Sequence, residues 1–208
     1  MVGLKASIIS SLLILILIVA YVMFIYQQTE FQKPRLIREE SYLVYSFTIV
    51  EKGSKEFHTS SQIIAGQLSI KVISVEGDIV TVRYTILSKG FAESYFLKVN
   101  VSENIAYGFQ EKKLGLWIYW VNIQSIHQIF KDYPVTCNIT LQYMPISTAS
   151  GTPEKHLVIQ CSQNNAILFY DYKTGILLKA YNYSENILRA YEVADICNLE
   201  LVETNIEV

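Results

Sequence analysis

The residues that could carry chemistry in this chain are few and widely spaced. The three histidines are His58, His127 and His156, and none stands in a His-Glu-x-x-His arrangement or near a Cys-x-x-Cys pair. Those spacings are typical of zinc sites, because they place two ligands on one side of a single metal ion. His156 begins a predicted strand on its polar side, which is typical of a solvated side chain. We therefore predict no metal site and no cofactor.

Patterns for nucleophilic catalysis or phosphate binding are also missing. The sequence has no Gly-x-Ser-x-Gly elbow and no glycine-rich phosphate loop. The Ser/Thr-rich stretch 147–152 is typical of an exposed loop. The net charge is −2, with no Lys/Arg run that could bind nucleic acid. We predict no catalytic residues, and a membrane-anchored hydrolase with residues scattered along the chain stays as a secondary alternative.

Two of the three cysteines could form a disulfide. Cys137 and Cys161 lie on the apolar side of two predicted strands and are equally far along the chain from Ala149. If these strands form a hairpin centred there, the two cysteines face each other. Directly opposed residues can bring their Cα atoms to about 4.5 Å, which a disulfide can bridge. A Cys137–Cys161 disulfide and two buried thiols are the alternatives, and Cys197 is expected to be a free, buried cysteine.

Three sequons make the chain a candidate glycoprotein. They are Asn100-Val101-Ser102, Asn138-Ile139-Thr140 and Asn182-Tyr183-Ser184. This motif accepts N-linked glycans at the surface of exported proteins. Asn100, Asn138 and Asn182 are therefore the glycosylation candidates.

The element that fixes the location of the protein is an apolar run at the N-terminus. Ser7 to Tyr26 contains no charged residue, and as a helix it would reach about 30 Å, the thickness of the hydrocarbon core of a bilayer. It is longer than the apolar part of a secretory signal peptide, and no small-x-small cleavage pattern lies near its end. We predict a short tail (residues 1–6), an uncleaved transmembrane signal anchor (7–26), a polar stalk (27–40) and one extracytoplasmic domain (41–208).

The start of the run resembles another kind of exported protein. Lys5-Ala6 is similar to the basic-then-small cleavage signature of archaeal prepilins, the precursors of type IV pilin-like proteins. That resemblance implies a filament subunit with a processed N-terminus. Ser7 directly after the cleavage position and the helix-breaking Pro34 depart from the pilin pattern. The low charge and the abundance of Ile and Tyr also resemble exported proteins of thermoacidophilic archaea.

The flanking charges and the sequons give opposite indications of orientation. Lys33, Arg35 and Arg38 follow the apolar run, whereas only Lys5 and the amino group precede it. This bias favours a cytoplasmic domain, but long domains cross the membrane largely regardless of flanking charge. Because the sequons favour export, we predict a single-pass protein of the cell membrane with its C-terminal domain outside.

Alternation of apolar and polar residues predicts strands through most of the domain. From Tyr42 to Val50 the period is two, and the same pattern recurs in short segments as far as Ile206. Glu76-Gly77-Asp78 and the stretch from Asp171 to Gly175 are predicted hairpin turns. The predicted fold is thus an N-terminal transmembrane α-helix followed by an all-β or β-dominated antiparallel domain, a sandwich or a curved sheet, with one or two short helices.

The stretch 114–121 differs from the other predicted strands, because both of its faces are apolar. Such a strand is usually buried on both sides. The alternative is an exposed surface for a membrane or a protein partner. The residues of this possible interaction strand are Leu116, Trp117, Ile118, Tyr119 and Trp120.

Together these features predict a noncatalytic, membrane-anchored binding or structural module. Its expected partners are the lipid bilayer, through residues 7–26, and a membrane protein or a second copy of the chain. A small apolar ligand is the other possibility, because aromatic residues are abundant in the predicted strands.

Overall fold

A computed structural model of the chain describes residues 16–21, 37–51, 62–126, 136–144, 154–163, 166–184, 187 and 197–206. The chain divides into two units, Met1–Lys33 and Pro34–Val208. Residues 16–21 of the first unit are helical, and the rest of the predicted anchor, Ser7 to Tyr26, lies outside the described residues. Within the described part of the chain, no helix has both the length and the apolar character needed to cross a membrane.

The second unit is built from strands, as the alternating pattern predicts. Its described part has two 3-10 helical turns, Phe109–Glu111 and Ile123–Ser125. The strands are β1 (Tyr42–Glu51), β2 (Gln62–Glu76), β3 (Ile79–Ser88), β4 (Phe91–Asn100), β5 (Ile105–Tyr107), β6 (Lys113–Leu116), β7 (Thr136–Met144), β8 (Glu154–Gln163), β9 (Ala166–Asp171), β10 (Leu177–Tyr183) and β11 (Cys197–Thr204).

All eleven strands belong to one antiparallel sheet. Their order is β6-β5-β4-β3-β2-β1-β11-β10-β9-β8-β7. Strands that follow one another in the sequence are therefore neighbours, except that β6 and β7 form the two edges and the first strand pairs with the last. In that pairing Leu43 faces Thr204 and Ile49 faces Cys197. The predicted β-dominated antiparallel fold is confirmed, as a single sheet and not a sandwich.

The sheet must be strongly curled, because its edge reaches strands far away in the order. Trp120, four residues after the end of β6, forms an isolated bridge with Ile176 at the start of β10. Four residues span at most about 14 Å. In a flat sheet β6 and β10 would be about 34 Å apart, at roughly 4.8 Å for each strand spacing. Curling brings the two regions together and gives the sheet an inner face.

The inner face holds the hydrophobic core. Alternate residues point inward, as Leu43, Tyr45 and Phe47 do in β1. The register carries this alternation from strand to strand, since Tyr45 faces Leu68 in β2 and Leu201 in β11. The largest fully buried side chains are Trp117, Trp120, Tyr45, Tyr84, Tyr119, Tyr170 and Phe47.

The turns lie at the two ends of the antiparallel strands. We call the end where the chain enters β1 the entry end. At this entry end, Ser41 leads into β1 and hydrogen-bonds to Val72 of β2. The same end carries the β2–β3 turn at Gly77 and the β9–β10 turn that ends at Gly175, both with positive φ. These two predicted hairpins are confirmed.

Candidate functional site

A short segment after β6 crosses the entry end of the sheet and fills its interior. This crossing segment comprises residues 117–121, whose side chains are at most 1% exposed. Its backbone is hydrogen-bonded at both ends: the Trp117 N–H donates to the Asn104 carbonyl, and the Val121 N–H donates to the Gly175 carbonyl. The segment is therefore anchored to two distant turns of the same sheet.

The crossing segment corrects one sequence prediction in part. The predicted strand 114–121 is regular only as far as Leu116, where β6 ends. Burial was predicted, but it results from the segment passing inside the curled sheet and not from strand neighbours on both faces. Of the possible interaction residues, Leu116 is half-buried. The others belong to the core and offer no exposed surface: Trp117, Ile118, Tyr119 and Trp120.

A buried asparagine fixes the shape of the crossing segment. The side-chain Nδ2 of Asn104 donates to the carbonyls of Trp117, at 2.9 Å, and Trp120, at 3.0 Å. Asn104 is 2% exposed and has a φ of 53°. Asparagine tolerates this left-handed conformation better than most residues. One side chain thus satisfies two buried carbonyls that no strand partner reaches.

Two tyrosines of the inner face, Tyr45 and Tyr84, pack against Tyr119 of the crossing segment. The hydroxyl oxygens of Tyr84 and Tyr119 are 2.7 Å apart, and the Tyr45 hydroxyl donates to the Leu177 carbonyl at 2.9 Å. Tyr119 contacts both rings, with centroids 5.4 Å from Tyr45 and 5.8 Å from Tyr84. Burial raises the pKa of Tyr45 well above its usual value. The centre of the sheet is thus an aromatic core with paired hydroxyls.

A second polar cluster lies at the β9–β10 turn, and it changes the prediction for His156. This side chain is 6% exposed, not solvated, and its Nδ1 lies 3.6 Å from Oδ2 of Asp171. The other oxygen of Asp171 accepts the N–H and the hydroxyl of Thr174, each at 2.7 Å. Because the carboxylate holds the turn and the histidine together, the cluster fastens the turn to β8.

Among the described residues, no group that the histidine could activate lies in the His156 cluster. Its Nε2 is buried without a hydrogen-bond partner, whereas a general base must reach the proton that it takes. Within the described ranges, no group of three or more His, Cys, Asp or Glu side chains could hold a metal ion. The other two histidines, His58 and His127, lie outside the described residues, as does the Ser/Thr-rich stretch 147–152.

The inner face stays uncovered at the entry end of β7 and β8. Here Leu141 faces Leu157 across the two strands, and the Tyr172 N–H donates to the Leu157 carbonyl. Further along β8, Ile159 and Cys161 occupy the same alternate positions and are buried. We call the exposed part the β7 stripe: Leu141 (55% exposed), Tyr143 (67%), Leu157 (42%) and Tyr172 (45%).

None of the residues of the β7 stripe was predicted as a functional site. Alternation identifies the apolar face of a strand, but it cannot tell where along the strand that face is covered. One signal was available, because Lys155 precedes Leu157 at the next inward position, and a lysine is rarely buried. Its Nζ lies 5.7 Å from the ring centroid of Tyr143. The stripe is the candidate functional site of the domain.

The register of β7 and β8 is the one predicted around Ala149, with Cys137 directly opposite Cys161. Cys161 is in a disulfide and is fully buried. The side chain of Cys137 lies outside the described part of the chain. Cys137 is the cysteine that the backbone places next to Cys161, whereas Cys197 begins β11, three strands further along the sheet. This register favours the predicted Cys137–Cys161 bond, which stays a prediction.

The three sequons occupy different surroundings. Asn182 is exposed and has a φ of 50°, at an irregularity where β10 meets β11. Asn100 is half-buried at the end of β4. Its Oδ1 accepts the Ser102 hydroxyl at 2.7 Å and the Ser102 N–H at 3.1 Å. Asn138 pairs with Gln160 through the β7 backbone, and its side chain lies outside the described residues. Of the two sequon asparagines whose side chains the structure describes, Asn182 is the more exposed.

No protein-family model matches the chain, and no curated protein is similar to it in sequence. The function of the protein can therefore be inferred only from the residues of the site, since a β-sheet fold alone does not imply an activity.

Proposed function

We propose that the protein is a membrane-anchored extracytoplasmic module that binds a protein partner through the β7 stripe and does not act as a catalyst. The single observation that carries this proposal is the uncovered apolar end of the inner face, at Leu141, Tyr143 and Leu157. Exposed apolar patches of this kind mark interaction sites, because burying them against a partner removes apolar surface from water.

The filled interior favours a protein partner over a small apolar ligand. A small-ligand site is a concave cavity lined mainly by apolar side chains. In this sheet the crossing segment occupies the inner face, and Trp117, Tyr119 and Trp120 are at most 1% exposed. Among the described residues of the inner face, the apolar surface that remains open is the β7 stripe, which suits contact with another chain.

The disulfide of Cys161 supports the predicted compartment. Disulfides persist in oxidising surroundings and are rare in the cytosol. The exposed Asn182 supports the same orientation, because an accessible sequon suits a domain outside the cell. With the apolar run from Ser7 to Tyr26 as the anchor, these two features favour a domain outside the membrane.

Photocross-linking in native membranes tests the proposal. A photoreactive phenylalanine analogue replaces Tyr143 in the full-length chain, and the matched control carries it at Phe96, which is 60% exposed on β4. We expect a discrete cross-linked protein product from position 143 and none from position 96. Equal products from both positions, or no product from 143, would contradict a binding role for the stripe.

A pilin-like filament subunit is the alternative, and its support is the Lys5-Ala6 pair. Mass spectrometry of the N-terminal peptide of the mature protein distinguishes the two functions. A chain that begins at Met1 or Val2 excludes the filament subunit. A chain cleaved after Ala6 replaces the permanent anchor with a processed pilin helix.

A further inference from the structure

The two edges of the sheet differ in how they are protected. Unpaired edge strands can add a strand from another chain, and proteins usually block this with short strands, charges, prolines or bulges. The β6 edge has several of these features. It is four residues long and begins with Lys113, and its pairing with β5 shifts register between Ala106 and Tyr107. The β6 edge is therefore a poor template for another strand.

The β7 edge has none of these protective features. β7 is nine residues long, and its sequence Thr136–Met144 contains no charged residue and no proline. Its pairing with β8 is regular from end to end. Among the described residues β8 is its only strand partner. The exposed Leu141 and Tyr143 of the β7 stripe lie on this same strand.

We propose that β7 pairs antiparallel with β7 of a second copy of this chain, with Thr140 facing Thr140. This inference rests on the proposed function and names its partner. Thr140 is the middle residue of β7, so that centring the pair there lets all nine residues take part. Leu141 then faces Ile139 of the other copy, and the β7 stripe of one copy continues into that of the other.

The missing charges favour a second copy over an unrelated strand. In a two-fold pair, any charge near the centre of β7 would meet its own equivalent at close range, and like charges on opposed positions are destabilising. β7 is free of this repulsion. Tethering to one membrane also raises the effective concentration of one copy near another. The uncharged β7 edge and the shared membrane therefore both favour pairing between two copies of the chain.

The pairing restricts how two copies can stand on one membrane. Antiparallel β7 strands set the two entry ends at opposite ends of the pair. Both anchors can reach the same bilayer when the paired strands lie along the membrane plane.

Disulfide trapping in native membranes tests the register. Thr140→Cys places a cysteine opposite its own equivalent, with Cα atoms about 4.5–5.5 Å apart, within bridging reach. The matched control is Gln142→Cys on the same strand, which would face Asn138 and lie roughly 13 Å along the strand from its equivalent. We expect a reducible dimer from Thr140→Cys and monomers from Gln142→Cys and from the natural chain. Because Thr140→Cys itself removes the sequon Asn138-Ile139-Thr140, the Gln142→Cys control also carries Asn138→Gln, so that neither chain has this sequon.

A charge at the edge gives an independent measurement. Leu141→Lys should convert the detergent-extracted dimer to a monomer, as measured by native mass spectrometry, while Phe96→Lys should leave the dimer intact. A monomeric Thr140→Cys chain, or a dimer that survives Leu141→Lys, overturns the second-copy inference. If position 143 still cross-links to a different protein, the proposed binding function stands. If it cross-links to nothing, both proposals fail.

Discussion

Tyr84 and Tyr119 face each other in the core with their hydroxyl oxygens 2.7 Å apart. Tyr84 belongs to β3 and Tyr119 to the crossing segment, so this hydrogen bond connects the sheet to the segment that fills it. Either hydroxyl can be the donor.

Removing one hydroxyl of this pair should destabilise the domain, because the buried partner loses its hydrogen bond. Tyr84→Phe and Tyr119→Phe should each lower the free energy of unfolding by about 1–2 kcal/mol. The double variant should lose about 1 kcal/mol less than the two losses added together. Urea denaturation of all four chains measures this coupling, and strict additivity would show that the hydroxyls do not interact.

Gly175 is expected to tolerate no side chain. Its φ is +72°, and an added Cβ would collide with the carbonyl oxygen of Val121. Gly175→Ala should therefore lower the free energy of unfolding by about 3 kcal/mol or more. Gly77→Ala is the matched control, since Gly77 has a φ of +62° and open space around the added Cβ. It should cost about 1 kcal/mol, and equal losses at both glycines would contradict the close approach of the crossing segment.

The β5–β6 turn should gain stability from substitution. Gln110 and Glu111 both have positive φ, 56° and 59°, in a turn whose central positions favour Asn-Gly. The double variant Gln110→Asn/Glu111→Gly should raise the free energy of unfolding by about 1–2 kcal/mol. It breaks only an exposed contact between Lys98 and Glu111, which contributes little.

Lys112→Gly is the control for the turn, because Lys112 has a φ of −62° and gains nothing from glycine. It should lower the melting temperature slightly, whereas the double variant should raise it by about 2–4 °C for each kcal/mol. A double variant less stable than the natural chain would show that the positive φ angles cause no strain.

Alkaline pH should destabilise the domain through its buried phenols. Burial raises the pKa of Tyr45 and of Tyr170 well above 10, and for Tyr170 the nearby Tyr45 adds to the shift. In the unfolded chain these phenols ionise near pH 10. The stabilisation is therefore complete below that pH and is lost as the pH rises toward the folded-state pKa values.

Urea titrations across the alkaline range, with tyrosinate absorbance as a second probe, measure this loss. The decline in unfolding free energy with pH should be shallower in Tyr45→Phe than in the natural chain. Identical slopes would mean that Tyr45 ionises equally well in the folded and unfolded states.

The disulfide should depend on Cys137 and not on Cys197. A bridge from Cys137 to Cys161 closes a loop of about 25 residues and contributes roughly 3 kcal/mol in the chain-entropy model. Cys137→Ala should lose this stability and expose one new thiol to labelling after denaturation. Cys197→Ala should keep the bridge, and a peptide that links Cys161 to Cys197 would contradict the predicted pairing.

The local hairpins could be predicted from the sequence, but the pairing of the first strand with the last could not. The hairpins at Gly77 and Gly175 follow from turn glycines between alternating strands. The Cys137–Cys161 register follows from the symmetry of a hairpin. The pairing of β1 with β11 has no local signal, because Leu43 and Thr204 meet only when every strand between them is in place.

The sequence does not distinguish the candidate site from the rest of an apolar strand face. Leu141 and Leu157 continue the alternation of Ile159 and Cys161, so nothing in the period separates covered from uncovered positions. The alternation in β8 predicts a solvated His156. Its burial could not be predicted, because its contact with Asp171 forms only when the β9–β10 turn folds back on β8. In both cases the deciding contacts join residues distant in the sequence.

The pairing of β1 with β11 has a consequence for how the protein is made. Synthesis proceeds from the N-terminus and delivers Leu43 long before Thr204, so strands β1 to β6 emerge while one side of β1 still lacks its partner. The later strands β7 to β11 form a second run of hairpins. The last of them, β11, pairs with β1 and so joins this run to strands β1 to β6. The edges left in the finished sheet therefore come from the middle of the chain, and the newly made protein stays incomplete until its final strand is released.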